Sequence, residues 1–309
     1  MAMQRIHAAN ELGNGSRKVC LAIGVFDGVH LGHQQIIRQT VADARQHDAV
    51  ALVVTFDRHP KVVVAPDQAP RQIYSPSQKH RTIESLGVDA VWEIHFDKPF
   101  SEKPADEFIR ELARDLGKIH SICVGAAFVF GHLRTGNVAL LKTLGAELHF
   151  QVHGLAAVAL DGQPVSSTRV REMLRTGNFD AASQMLGRPY AISGRVVEGD
   201  RIGRELGFPT ANLDVTNLIL PPNGVYSAVT KLQGQQYRAA LNIGVRPTVA
   251  TSAPQLRVEA HLLDFSGQLY GTELELELGV KLREERRFNS PADLRGQIQR
   301  DVIAVRSAE

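Results

Sequence analysis

Unbroken apolar runs in the first half of the chain are the feature that most limits its fold. Val50–Phe56 reads VALVVTF, and Val19–Gly24 forms a second, shorter run. A strand without a polar face must be covered on both faces, as parallel strands are between two layers of helices. The alternation of strands and helices predicts an α/β domain with a parallel sheet. Its further segments are helices at 33–47, 105–116 and 138–144 and strands at 119–124 and 147–152.

The hydrophobic pattern changes its period after Gly187-Arg188-Pro189. Short segments there alternate between apolar and polar residues, which is typical of antiparallel strands with one buried face. These segments span 226–232, 237–243, 257–263 and 273–282, and 233–236 joins the first two as a hairpin. The pattern predicts an antiparallel barrel or sandwich. We therefore expect two domains, 1–186 and 187–309.

The last segment of the chain is predicted to be a helix. Ser290-Pro291-Ala292-Asp293 resembles a capping box with proline at the first helical position. Leu294, Ile298 and Val302 follow at intervals of four and share one face. We expect that face to pack on the barrel.

Composition narrows the classes of function. With 35 Lys and Arg against 33 Asp and Glu, the net charge of +2 predicts no broad surface for nucleic acid or anionic membranes. Two cysteines, Cys20 and Cys123, are too few for a disulfide framework, and their apolar surroundings predict burial. No apolar run approaches the roughly 20 residues that cross a bilayer. The first 18 residues lack an apolar signal core, so we expect a cytoplasmic protein.

A glycine- and histidine-containing segment, GVFDGVHLGH, follows the first strand and opens the first helix. Glycines allow close approach to a phosphate, and a helix N-terminus attracts one. His30 and His33 share one helix face and can donate hydrogen bonds to a polyphosphate as charge develops. The alternative is a simple turn with incidental histidines. The predicted phosphate-binding residues in this segment are Gly24, Phe26, Asp27, Gly28 and Gly32.

A hydroxyl-rich segment provides a second candidate phosphate contact. Ser167 and Thr168 stand where a helix is predicted to begin, after the turn Asp161-Gly162. Their hydroxyls, the free helix amides and the guanidinium of Arg171 are suited to triphosphate oxygens. Taken alone, the same residues are equally typical of a helix N-cap.

A third segment, GDRIGRELGFPTAN at 199–212, begins the second domain. The P-loop pattern is absent from the chain, so a phosphate site here needs another cradle. Gly203 and Gly207 allow backbone approach, and Arg204 supplies charge. The Thr210 hydroxyl and the Asn212 carbonyl are hard oxygen donors suited to Mg²⁺. The alternative is a turn followed by a strand.

These motifs together resemble those of the bacterial bifunctional riboflavin kinase/FAD synthetase family. GVFDGVHLGHQ resembles its H-x-G-H signature, and GRELGFPTAN resembles the G-R-x-L-G-F-P-T-A-N segment of its kinase module. Further segments match in order from residue 19 to the C-terminus. They are TFDRHP at 55–60, GAAFVFG at 125–131, SSTRVR at 166–171, NIGVRPT at 242–248 and VEAH at 258–261.

The resemblance implies a Rossmann-like nucleotidylyltransferase domain followed by a riboflavin kinase barrel. It implies two reactions with Mg²⁺: riboflavin and ATP give FMN, and FMN and ATP then give FAD and pyrophosphate. Glu259 would be the general base of the kinase, with Asp264 as the runner-up. The further residues that the resemblance implies are His59 and Phe128 at the flavin and Pro209 and Asn242 at ATP. The expected partners are these small molecules; the oligomeric state stays open.

Four positions depart from the family pattern: Arg58, Ala127, Glu198 and Ile202. Ala127 stands where the family usually has Asp or Asn, which predicts a weaker adenylylation site. Three alternatives stay open at this point. They are a riboflavin kinase alone, a flavin or nucleotide sensor on the same scaffold, and another nucleotidylyltransferase, such as a cytidylyltransferase or a pantetheine-phosphate adenylyltransferase.

Overall fold

The computed structural model describes residues 2–12, 17–199, 202–246 and 255–308. Residues 200–201 and 247–248, which belong to two of the motifs above, lie outside the described residues. The contacts divide the chain into two compact units. The first is Met1–Gln72 with Pro76–Ser167, and the second is Ile73–Ser75 with Thr168–Glu309. The domain division 1–186 and 187–309 stays a prediction.

The first unit is built on a parallel sheet. The strands of this unit are β1 Gln4–Ile6, β2 Val19–Ile23, β3 Val50–Phe56, β4 Ala90–Ile94, β5 Ile119–Gly125, β6 Val129–Phe130, β7 Gly136–Asn137, β8 Gln151–Leu155, β9 Ala159–Leu160 and β10 Gln163–Pro164. The pairs β6–β7 and β9–β10 are separate from the parallel sheet. Its helices are α1 Leu31–Gln46, α2 Lys61–Val64, α3 Pro76–Glu84, α4 Lys98–Ser101, α5 Ala105–Leu116 and α6 Val138–Leu148.

The order of strands in the described part of this sheet is β1-β4-β3-β2-β5-β8, and all its pairs are parallel. The chain moves outward from β2 to β3 and later returns to the other side of β2 with β5. In open α/β sheets, ligands bind at the carboxyl ends of strands where the direction of winding reverses. The loops after β2 and β5 meet that condition.

Burial on both faces of the sheet confirms the prediction from the apolar runs. Leu21 and Ile23 of β2 belong to a core cluster with Phe108 and Leu112 of α5. Ala22, between them, belongs to a different cluster that includes residues of α1. Successive residues of this strand thus pack in opposite cores, as expected when side chains alternate between the two faces of a sheet.

The prediction of a strand at 147–152 is wrong at its start. Helix α6 continues through Leu148, His149 takes the left-handed conformation with φ 64°, and β8 begins at Gln151. Leu141, Leu144 and Leu148 pack on the same core at helical spacing. The segment is too short for its pattern to separate helix from strand.

The second unit contains a closed antiparallel barrel, with strands ordered β11-β12-β15-β14-β13-β16 over the described residues. This observation decides between the barrel and the sandwich. The strands are β11 Ala191–Val197, β12 Ala211–Asp214, β13 Gly224–Leu232, β14 Gln235–Arg246, β15 Gln255–Leu262 and β16 Glu273–Arg283. The helices are α7 Ser167–Thr176, α8 Phe179–Leu186, α9 Ile202–Glu205 and α10 Pro291–Ser307. The first residue of α7, Ser167, is also the last residue of the first unit.

The predicted hairpin between β13 and β14 is tighter than the pattern indicated. Only Gln233 and Gly234 separate the two strands, and both have positive φ, 50° and 82°. Two left-handed residues form the turn that best suits the twist of paired strands.

Helix α10 begins as predicted and packs on the barrel with a different face. The Ser290 hydroxyl accepts a hydrogen bond from the Asp293 amide at 3.1 Å. The buried stripe is Gln297, Asp301 and Val305, whereas the predicted stripe of Leu294, Ile298 and Val302 is half-buried. Asp301 accepts hydrogen bonds from Arg283 of β16 at 2.8 and 2.9 Å, and this ion pair rotates a polar face toward the barrel.

Cys20 and Cys123 are buried free thiols, as predicted. Burial raises the pKa of Cys123 to about 12, so it carries no thiolate near neutral pH. None of the helices in the described ranges has the length and apolar character needed to span a membrane. The expected cytoplasmic location stays a prediction.

A histidine pair lies between α1 and β5, at the amino-terminal edge of the sheet. The ring centroids of His47 and His120 are 3.8 Å apart. Burial, then the neighbouring His47 and Lys18, lower the pKa of His120; Asp43 acts in the opposite direction. His120 therefore favours its neutral form in the folded chain.

We expect this histidine to make stability depend on pH. Its pKa is lower in the folded than in the unfolded state, so protonation favours unfolding as the pH falls below about 6.5. His120→Gln removes the titrating group and should lose less stability than the wild type between pH 7.5 and 5.5. The midpoint of urea unfolding measures this, and His7→Gln, at an exposed position, is the control. An equal pH dependence in wild type and His120→Gln would contradict the expectation.

Candidate functional sites

The histidine motif forms the N-terminal cap of α1. His30 is the capping residue, and its Nδ1 accepts a hydrogen bond from the His33 amide at 3.4 Å. Because Nδ1 accepts, the neutral ring carries its proton on Nε2. The rings of His30 and His33 stack with centroids 3.6 Å apart. A Cβ on Gly32 would lie 3.3 Å from His30 Cε1, which explains the glycine between the histidines.

The loop from β2 to His30 has an unusual backbone. Phe26, Gly28 and Val29 all have positive φ, at 51°, 77° and 39°. The buried ring of Phe26 lies edge-on to His33 at 5.3 Å. A Cβ on Gly24 would lie 3.0 Å from that ring. Phe26 and Gly24 thus position the histidines, which is a structural role beside the phosphate contact predicted for them.

Asp27 and Ser167 connect this loop to the start of α7. Asp27 is buried, and its carbonyl accepts a hydrogen bond from the Ser167 hydroxyl at 3.0 Å. Helix α7 begins at Ser167, in the hydroxyl-rich segment, as predicted. Thr168 and Arg171 belong to the second compact unit, and their contribution to the histidine site stays a prediction.

An aromatic cavity of about 570 Å³ opens beside the same loop. Successive ring contacts run from Phe56 through Phe96 and Phe100 to Phe108, and Phe128 stacks on Phe130 at 5.2 Å. The predicted residues Gly24 and Phe128 line it. The basic residues of its lining are Lys98, Lys103, His132 and Arg134. The cavity is suited to a flat apolar ring that carries an anionic group.

Two predicted features lie at the border of this cavity. His59 is outside its lining, and its Nδ1 accepts a hydrogen bond from the Lys61 amide at 3.1 Å, whereas the adjacent Pro60 lines the cavity. Ala127 is exposed in the turn after β5, where the Phe128 amide donates to the Gly125 carbonyl at 2.9 Å. An Asp at this position would therefore meet no packing obstacle from the core.

In the barrel, the register of three adjacent strands aligns three polar side chains. Asn212 of β12 pairs with Glu259 of β15, and Glu259 pairs with Asn242 of β14. Partners directly opposite in neighbouring strands place their side chains on the same face of the sheet. Val258 and Ala260, on either side of Glu259, point into the buried core, as the alternating pattern predicted.

All three residues line one cavity of the barrel, and Asn212 also lines a second. One, of about 290 Å³, lies between the barrel and α10 and is lined by Glu259, Asn242 and Gly203. The other, of about 480 Å³, is lined by Arg204, Pro209 and Gly199. Thr210 and Asn212 line both. These two residues thus lie at the boundary between the two cavities.

The loop that delivers Thr210 is tightly folded. The Phe208 amide donates to the Gly203 carbonyl at 2.8 Å, and a Cβ on Gly203 would lie 2.5 Å from the Phe208 carbonyl oxygen. His261 contacts the Pro209 carbonyl through Nδ1 at 2.8 Å. Gly207 has φ 88° and lines neither cavity, so its role is to turn the chain.

Sequence reasoning missed several charged residues of this site. Arg257 Nη1 lies 3.4 Å from Glu259 Oε1. Glu285 and Arg286 line the smaller cavity, and a Cβ on Gly244 would lie 2.0 Å from Glu285 Oε1. The spacing of Arg257 two residues before Glu259, on the same strand face, is the signal that could have identified it.

Two family models match the chain in succession. FAD synthetase matches residues 14–169, and riboflavin kinase matches residues 186–308. The chain belongs to the bifunctional riboflavin kinase/FMN adenylyltransferase family. A relative of that name from Escherichia coli K12 is 37% identical over 98% of this chain and 97% of its own length. Another from Haemophilus influenzae is 36% identical over 98% and 97%.

A solved structure supports the same architecture. It is described as a macrolide-efflux protein from Streptococcus pneumoniae and covers 100% of both chains at 27% identity, with a TM-score of 0.82. The efflux in that description is said of that protein. Family membership confirms the resemblance, and it favours the bifunctional interpretation over the three alternatives left open by the sequence.

We expect the loop glycine Gly203 to be required for stability. In Gly203→Ala the new Cβ collides with the Phe208 carbonyl, a backbone group that cannot rotate away. Overpacking of this kind typically costs about 1–3 kcal/mol of unfolding free energy. Urea unfolding followed by circular dichroism measures it.

The control is Gly296→Ala in α10, where the new Cβ meets only Arg300 at 4.0 Å. That variant should be at least as stable as the wild type, since alanine favours a helix more than glycine does. Equal stability of Gly203→Ala and Gly296→Ala would show that the loop adapts and that Gly203 is dispensable.

Proposed function

We propose that the barrel unit transfers the γ-phosphoryl group of ATP to riboflavin, giving FMN and ADP. We further propose that the α/β unit transfers the adenylyl group of a second ATP to FMN, giving FAD and pyrophosphate. The observation that carries the proposal is the alignment of Asn212, Glu259 and Asn242 along one cavity, with Asn212 also lining the neighbouring one. We assign FMN adenylylation to domain 1–186 and riboflavin phosphorylation to domain 187–309.

The two barrel cavities suit two different substrates. Phe288, Leu294 and Ile298 give the smaller cavity an apolar wall under α10, which fits the flavin ring. Arg204 and the glycine-rich loop border the larger cavity, which fits a nucleotide. The reacting hydroxyl and phosphate would then meet beside Thr210 and Asn212, which border both cavities.

Glu259 is the proposed general base of the kinase reaction. As the terminal ribityl hydroxyl attacks the γ-phosphorus, its proton passes to the Glu259 carboxylate, and the bond from phosphorus to the ADP oxygen breaks. The Arg257 guanidinium, 3.4 Å from the carboxylate, orients it. Phosphoryl transfer depends mainly on positioning and charge stabilisation, so a base that contributes modestly is sufficient.

The residues at the boundary of the barrel cavities fit Mg²⁺. The Thr210 hydroxyl and the Asn212 amide oxygen are hard neutral donors, and Mg²⁺ is usually held by few protein groups together with phosphates and water. The Asn212 side chain lies against Gly199, where a Cβ would be only 2.1 Å from Nδ2, so backbone packing holds this amide in place. When bound, the ion neutralises phosphate charge.

In the α/β unit, the cap of α1 is proposed to stabilise the adenylyl transfer. An FMN phosphate oxygen attacks the α-phosphorus, and the bond to pyrophosphate breaks. His30, His33 and the first amides of α1 face the developing charge. The flavin ring occupies the aromatic cavity with Phe128, with His59 at its border. Ser167, Thr168 and Arg171 are proposed to hold the triphosphate.

The two reactions should be separable by mutation. Glu259→Gln removes the proposed base and should slow FMN formation by roughly 100- to 10,000-fold, while supplied FMN is adenylylated at the wild-type rate. His30→Ala and His33→Ala should do the reverse, with roughly 100- to 1,000-fold slower FAD formation. The measurement is chromatographic separation of flavins after incubation with riboflavin, Mg²⁺ and ATP.

Each variant is the control for the other, because each keeps one reaction intact. Equal loss of both activities in a folded variant would contradict the assignment of one site to each unit. A wild type that makes FMN and never FAD would reduce the proposal to the kinase.

The adenylylation site should gain from an acidic or amide side chain at position 127. The Ala127 methyl group offers no hydrogen bond, and a hydrogen bond to a neutral partner contributes about 0.5–1.5 kcal/mol. We expect FAD synthesis by the wild type to be measurable and Ala127→Asp or Ala127→Asn to lower the KM of supplied FMN or ATP by roughly twofold to tenfold. Ala126→Asp, at the exposed neighbouring position, is the control. Unchanged constants in both position-127 variants would show that another residue supplies the interaction.

A further inference from the structure

A buried lysine stands behind the histidine loop. Lys79 of α3 has 9% of its surface exposed, although lysine is almost never buried to this extent without partners. The sequence pattern did not mark it, since it lies in an ordinary polar helix. The network around it joins three separate segments of the first unit.

Hydrogen bonds extend from Lys79 to the loop that carries the histidines. Its ammonium donates to the Phe56 carbonyl at 3.0 Å and to the Thr55 hydroxyl at 3.4 Å. The Thr55 hydroxyl in turn donates to the Val25 carbonyl at 3.1 Å. Lys79 therefore anchors the end of β3 and, through Thr55, the residue that precedes Phe26. Val25 and Phe56 both line the aromatic cavity.

The surroundings of the ammonium are acidic. Glu93 Oε1 is 3.9 Å from Nζ and also pairs with His80 at 3.1 Å. Burial lowers the pKa of Lys79, and the carboxylates of Glu93, Asp27 and Asp57 oppose that effect. Asp57 also pairs with Arg58 and His95. Asp27 itself is 8% exposed and lies in the loop that binds phosphate in the proposed function.

We propose that Lys79 is a positioning residue for adenylyl transfer, which compensates the negative charge of the nearby carboxylates beside the triphosphate and holds the loop that carries His30 and His33. The proposal rests on the function proposed above. Without the buried ammonium, a triphosphate bound near Asp27 would meet one positive charge fewer, and interactions of buried charges are only weakly screened. Lys79 thus acts on ATP through the loop and its charge, not by contact with the reacting atoms.

The test is Lys79→Gln, which keeps a hydrogen-bonding side chain and removes the charge. With supplied FMN, we expect the KM of ATP for FAD formation to rise roughly tenfold or more, the size of one lost charged hydrogen bond. The rise should persist at high ionic strength, because interactions of buried charges are only weakly screened by salt. Lys142→Gln, at an exposed position of α6, should leave the KM unchanged. Riboflavin phosphorylation in the same preparation should also be unchanged.

A second substitution separates charge from structure. Glu93→Gln removes one carboxylate and retains an oxygen for His80, so Lys79→Gln with Glu93→Gln should recover part of the KM. Recovery supports the proposal, and an unchanged KM in folded Lys79→Gln overturns it. A rise in KM that the second substitution does not reverse, accompanied by a lower Tm, also overturns it in favour of a structural role alone.

Failure of the proposed function gives a different result. A wild type that makes no FAD would refute adenylylation itself. A nonhydrolysable ATP analogue titrated into wild type and Lys79→Gln then still decides the inference: weaker binding at one of two sites supports charge compensation, and identical binding isotherms overturn it.

Discussion

Backbone hydrogen bonds that pair Asn212 with Glu259 and Glu259 with Asn242 decide the face on which these three side chains lie. A slip of one residue in either pairing would turn Glu259 toward the barrel core and expose Val258 or Ala260. The apolar residues that fill the barrel therefore also place the Glu259 carboxylate at the smaller cavity. In this unit, the stability of the fold and the geometry of the site depend on the same register.

The α/β unit reaches an equivalent result by a different route. Its strands β2 and β3 are buried along nearly their whole length, and the histidine loop follows β2, where the winding of the sheet reverses. His30 caps α1 and stacks on His33, which joins the start of the helix to the site. Behind the loop, Lys79 ties α3 to the end of β3. The loop between β2 and α1 is thus held both by the local cap of the helix and by hydrogen bonds to distant segments of the chain.

Sequence reasoning recovered the elements with strong patterns and lost those with weak ones. Val50–Phe56 and Ala105–Leu116 have the predicted bounds, because an unbroken apolar run and a marked helical stripe leave little ambiguity. The short strands β1 and β4 were not predicted from the sequence. The spacing of Leu294, Ile298 and Val302 correctly predicted a helix, but these residues are only part of the face that packs on the barrel. The Arg283–Asp301 ion pair brings the polar face of α10 to the barrel as well.

The sequence by itself determined the two fold classes, the position of the histidine segment at the start of the first helix, and the outward position of Glu259. Each of these depends on neighbours within one strand or one helical turn, which the order of residues specifies directly. Only the tertiary structure decided that Asn212, Glu259 and Asn242 line one barrel cavity together, that rings from Phe56 to Phe130 line another cavity, and that Lys79 is buried. Those arrangements depend on pairing between segments far apart in the chain, and hydrophobic periodicity carries no information about which distant segments will pair.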